Sequence, residues 1–127
     1  MDYTIKNLRD VDDMAAKHGF SETQEARFAV SDLGAEDTGI SYHVVRPGKR
    51  QAFGHHHREA EEIYVVLSGS WRIKLDDEVS EVGPMDAIRI APQVTRAFEA
   101  GADGLELLAF GPRHAGDSEM VPGFWEE

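Results

Sequence analysis

Residues His55-His56-His57 and Glu59, Glu61 and Glu62 concentrate most of the ligand-type chemistry of this chain in eight positions. On an extended strand, residues i and i+2 share a face, so His55 and His57 project together and His56 projects the other way. Glu62 opens the next apolar run, across the polar turn Arg58 to Glu61, and can converge on the same space. Two neutral imidazoles and one carboxylate form the facial set that suits Fe(II), Mn(II), Zn(II) or Ni(II) and leaves positions for water or substrate. The same residues have a plainer reading, as a solvated surface run or a cross-strand polar pair.

The elements that must position these residues are short strands. Glu25–Val30, Ile40–Arg46, Gln51–His57, Glu62–Leu67, Trp71–Leu75, Ala87–Ala91, Arg96–Ala100 and Leu105–Phe110 read as strands. Pro47-Gly48, Ser68-Gly69 and Gly101–Gly104 read as turns between them, the last as a hairpin loop. Asp32–Gly39 reads as a connection and Asp76-Asp77-Glu78 as a tip. Strands recurring at about 8–12 residues with turn signals between them indicate an all-β sandwich or barrel. The first 20 residues read as an arm with a short helix, capped by Asp10 or Asp12 and stopped at Gly19. We expect a single domain over 1–127: a core barrel of about 25–112, an N-terminal arm 1–20 and a C-terminal tail 113–127. The tail ends in Phe124-Trp125, which should pack on the barrel or on a neighbour.

Composition bounds the function. The chain has 127 residues, no cysteine and a formal net charge of −11. A thiolate metal site and a disulfide frame are therefore unavailable. The acidic balance opposes binding to phosphate backbones, so nucleic acid is not an expected partner. Ile63–Leu67, the longest apolar run, is far too short to span a bilayer, and the charged N-terminus lacks a signal-peptide core. The expectation is a soluble cytoplasmic protein with no membrane partner.

The central stretch resembles the cupin family. His55-x-His57, four residues, Glu62, six residues and Gly69 match the first motif of that family, with Gly48 one residue further upstream than usual. Met85-Asp86 through Pro92-Gln93 to Arg96 falls on the second motif in degraded form. The resemblance covers residues 40–110 and implies a jelly-roll β-barrel, the double-stranded β-helix, to which the short N-terminal helical arm read above is added. It implies His55, His57 and Glu62 as ligands of a divalent metal, and family members often dimerise, so we expect a homodimer.

The departures bear on the site. Met85 replaces a glycine, Ala91 a proline and Gln93 a glycine. Arg96 stands where the family carries its third metal-binding histidine, and a guanidinium, with no acceptor, cannot be that ligand. Three arrangements follow. A metal binds through three ligands and water; or His43, or less favourably Glu61, completes the set; or the pocket holds no metal and Arg96 pairs with Glu62 or clamps an anionic ligand.

Tyr64, Trp71 and Phe98 are candidates to line a substrate pocket, with core packing as the alternative for each. Arg89 is either a second pocket cation or a surface residue. His18 and His114 read as loop histidines. With no nucleophile elbow, P-loop or dinucleotide fingerprint, the sequence assigns no catalytic residue. Two functions remain: a metal-dependent enzyme of oxygenase, isomerase or decarboxylase type acting on a small polar or anionic molecule, and a non-catalytic module that binds or senses a small-molecule ligand without metal, with Arg96 holding its anionic group.

Overall fold

The computed structural model describes residues 1–113 and 116–126. His114 lies outside the described residues. A single 3-10 turn, Leu8–Asp10, precedes helix α1, Met14–Lys17. Asp13, rather than Asp10 or Asp12, caps α1: its Oδ1 accepts from the Ala15 amide at 3.0 Å and also from the Ala26 amide at 2.9 Å, which ties the arm to the barrel. Gly19 closes the helix end in the left-handed conformation (φ 84°).

Eight strands follow among the described residues: β1 Gln24–Phe28, β2 Thr38–Val45, β3 Phe53–His57, β4 Glu62–Leu75, β5 Glu78–Val82, β6 Ala87–Ile90, β7 Arg96–Pro112 and β8 Ser118–Pro122. A short helix, α2 Val30–Leu33, occupies part of the expected connection. All pairings are antiparallel, in the order β1-β2-β7-β3-β8, with β4 pairing β5, β6 and β7. This is the all-β, curled-sheet architecture the strand pattern anticipates.

Two expected turns are absent. Ser68-Gly69 and Gly101–Gly104 do not reverse the chain; β4 and β7 run through them and pair along their lengths. The register shifts between Val66 and Ser68 and between Gly69 and Trp71 are bulges that bend the paired strands. Gly69 has φ 78°, and a Cβ there would lie 2.0 Å from the Gly104 carbonyl oxygen. The glycines therefore permit close backbone approach at a bend.

The core lies inside the curled sheet. Val45, Val66, Ile73, Phe98 and Leu107 are fully buried, each contributing roughly 1.5–3 kcal/mol. The tail covers the outer face. Gly54 has no side chain because the Phe124 ring sits where its Cβ would be, at 2.7 Å. Lys74 Nζ donates to the Phe124 carbonyl at 2.6 Å, and the Arg50 guanidinium stacks 4.9 Å above the Trp125 ring. No helix among the described residues is long and apolar enough to cross a membrane.

Candidate metal centre and its cavity

Strand alternation brings His55 and His57 to one face of β3, and the turn after His57 delivers Glu62 at the start of β4. His55 Nε2 and His57 Nε2 each stand 3.6 Å from one carboxylate oxygen of Glu62. The two imidazole rings meet edge to face at 5.2 Å. One donor atom from each residue fits within 4.8 Å of the others, the spread a single cation spans. His57 Nε2 and Glu62 Oε1 are buried and have no hydrogen-bond partner among the described residues. Buried polar atoms are ordinarily satisfied. These atoms are aimed at one another's space, and a two-nitrogen, one-oxygen set fits a divalent transition metal. Burial opposes ionisation of Glu62, but the imidazoles of His55 and His57 outweigh it and hold the carboxyl far below its usual range.

The triad forms part of the wall of a cavity of about 440 Å³. Its remaining wall is mostly apolar: Met14 and Phe20 from the arm, Phe28 from β1, Phe53 from β3 and Met120 from β8. Tyr64 is buried in the same wall, with its hydroxyl 3.5 Å from His55 Nε2. Burial, and then the Glu62 charge, push its phenol well above the ordinary value, so it remains a neutral O–H donor. His43 also lines the cavity, with its Nε2 2.8 Å from Ser41 Oγ. Burial lowers its pKa to about 4 against the opposing pull of Glu62, so the ring is neutral.

Other candidates separate from the site. Arg96 is 1% exposed, opposite His55 across β3 and β7. It points inward, yet it makes no ion pair with Glu62 among the described residues. Its Nη2 reaches the Ala91 carbonyl at 3.5 Å, while Nε and Nη1 have no hydrogen-bond partner. Glu61 is not brought to the cluster: just before β4, it pairs with Arg89 Nη1 at 3.1 Å on the surface. The same pair fixes Arg89 as a surface cation rather than a pocket one. Trp71 is 41% exposed, lies outside the cavity wall and carries the Arg72 guanidinium 4.1 Å above its ring. Phe98 packs beneath Tyr64, ring centroids 5.1 Å apart, as core. His18, read as a loop histidine, ends α1 with Nδ1 2.8 Å from the Met14 carbonyl oxygen and contributes to the cavity wall. Met14 opens α1, His18 caps its end and Phe20 follows Gly19, and nothing in their order says that together they close a cavity.

No family model matches the chain, and no curated protein matches it. Solved structures do. The chain superposes on a cupin protein from Bacteroides fragilis with a TM-score of 0.72 at 23% identity, covering 91% of this chain and 88% of that one. The polyketide cyclase RemF from Streptomyces resistomycificus gives a TM-score of 0.75 at 24% identity, over 93% and 84% of the two chains. Oxalate decarboxylase from Bacillus subtilis gives 0.69 at 20% identity, over 92% of this chain and 32% of that one. The chain has the cupin fold, a jelly-roll barrel, as its first motif implies.

Proposed function

We propose that the protein is a metal-dependent cupin enzyme that acts on a small, largely apolar molecule through one oxygen presented to the His55, His57 and Glu62 cluster. The observation that carries this reading is the pair of buried, unpartnered donor atoms, His57 Nε2 and Glu62 Oε1, at the wall of an apolar cavity. His55, His57 and Glu62 would hold the ion, with His43, neutral and in the same cavity, as the candidate fourth donor. A divalent ion held there would supply Lewis-acid polarisation of a substrate oxygen or activation of O2. The chain's own groups do the rest. Tyr64 offers a neutral hydroxyl beside His55, suited to orient a substrate oxygen by hydrogen bonding. The Phe and Met wall excludes water and takes a ring-sized apolar body. That lining suits a ring-sized apolar body better than a small dianion. A homodimer remains part of the proposal: Ile63 and Leu67 leave an apolar outer face on β4, 39% and 37% exposed.

The buried guanidinium of Arg96, with two unpartnered donors, supports a second reading: a metal-free pocket that binds a small anion. Metal analysis of untagged protein, purified without chelator or nickel resin, separates the two. About one transition-metal ion per chain, lost in His57→Ala, supports the enzyme reading. No uptake after anaerobic reconstitution would overturn it and leave the anion-binding module.

A further inference from the structure

Asp117 lies just before β8 and is buried. Its carboxylate organises the turn between β3 and β4. Oδ1 accepts from the Glu59 amide at 3.1 Å and Oδ2 from the Ala60 amide at 3.0 Å, while the Arg58 amide donates to the Asp117 carbonyl at 3.1 Å. That turn carries His57 at one end and Glu62 at the other. Asp117 Oδ2 also stands 3.4 Å from His57 Nδ1, as Glu62 stands 3.6 Å from Nε2; both are close charge contacts outside hydrogen-bond geometry, and both ring nitrogens are buried. One ring thus faces a different carboxylate through each nitrogen.

A neutral imidazole has one N–H, and its partners decide which nitrogen keeps it. Glu62 is shared among His57, His55 and Tyr64, so its claim on the His57 proton is divided. Asp117 is the nearer carboxylate and is pinned by two backbone amides, which fix its Oδ2 on the Nδ1 side. We propose that Asp117 is a positioning residue: it holds His57 as the Nδ1–H tautomer and leaves the Nε2 lone pair directed at Glu62 and the cavity. Its purpose rests on the metal reading of the triad, because a metal takes the free Nε2 and is strengthened by a carboxylate behind the ring.

The experiment reads the tautomer and the metal separately. In metal-free, 15N-labelled protein, titrated upward until the His57 ring is neutral, long-range 1H–15N spectra should show the proton on Nδ1. Asp117→Asn keeps one oxygen for the turn but presents an amide that can donate to Nδ1, so the proton should move substantially to Nε2. Asp117→Ala should give a mixture. Zn(II) affinity, by chelator competition, should fall about 10–100-fold in both variants, with thermal midpoints recorded to show that each folds. A wild-type ring that keeps its proton on Nε2, or variants that leave tautomer and affinity unchanged, would overturn the assignment. Failure of the wild type to bind Zn(II) would remove the metal reading while the tautomer still decides the role of Asp117.

Discussion

Arg96 stands directly opposite His55 in the antiparallel pairing of β7 with β3. Residues paired this way have Cβ atoms about 5 Å apart on one face of the sheet. The side chain is therefore buried on the same sheet face as the first candidate ligand, at 1% exposure, with its Nη2 toward the Ala91 carbonyl. It cannot ligate, and its charge opposes a cation nearby.

Replacing that charge should strengthen metal binding. Arg96→His supplies a further imidazole on the ligand face and removes the repulsion; Arg96→Met removes the repulsion alone. We expect Zn(II) or Co(II) affinity to rise by at least about tenfold in Arg96→His, roughly 1.4 kcal/mol, and by less in Arg96→Met. Chelator competition on the purified variants measures both. Equal affinity in all three proteins would mean that Arg96 does not sense the cluster.

Gly69 tests the continuity of β4. A Cβ there would fall 2.0 Å from the Gly104 carbonyl oxygen, at a φ of 78°. Gly48 has a similar φ of 71° and open space around it. Gly48→Ala should cost about 1 kcal/mol from backbone strain alone. Gly69→Ala should cost at least about 3 kcal/mol, on the order of 10 °C in the thermal midpoint. Similar midpoints would show that the β4–β7 bend is loose rather than tightly packed.

The same glycine shows what the sequence could and could not display. Ser68-Gly69 carries an ordinary turn signal, and local chemistry does not separate a chain reversal from a bulge; the pairing of Ser68 with Glu106 and Gly69 with Leu105, far along the chain, decides it. The triad was legible because its two histidines share a strand and Glu62 follows one turn later, all within eight residues. The inward turn of Arg96 was not, because strand parity fixes a face only once the partner strand is known. Asp117 was invisible for the same reason: its contacts with Glu59 and Ala60 span 58 and 57 residues. Trp71 and Arg89 looked like pocket residues by type and became surface ones by register.

Acid should destabilise the protein through His43. Its pKa falls from 6.5 in the unfolded chain to about 4 in the folded one, because burial penalises the charged ring. Between those values the unfolded state binds the proton and the native state does not. Stability is therefore fully present above about 6.5 and is lost as pH falls toward 4, by up to about 3 kcal/mol. The depressed Glu62 carboxyl adds a second loss that begins only near its unfolded value of 4.5. Urea unfolding of metal-free wild type and His43→Gln at several pH values checks this. The variant should be nearly flat from 6.5 to 5, and an equally steep decline there would assign the acid sensitivity to other groups.

Filling the cavity should separate ligand binding from metal binding. Ala26, on β1, contributes to the cavity wall and is 8% exposed, and it is not among the cluster of His55, His57 and Glu62. A phenyl ring built there enters space of about 440 Å³ rather than packed core, so Ala26→Phe should leave stability unchanged or raise it slightly. The ring should displace an apolar ligand: affinity for an anilinonaphthalene dye should drop at least about tenfold, while metal content stays as in wild type. The opposite variant, Phe28→Ala, widens the wall and should retain the dye. Dye titration beside metal analysis gives both readouts on one sample. If Ala26→Phe binds dye as wild type does, the apolar ligand docks elsewhere on the barrel, and the substrate class inferred from the Phe and Met lining falls with it; if metal content drops as well, the cavity and the triad are not independent and the ring has shifted β3.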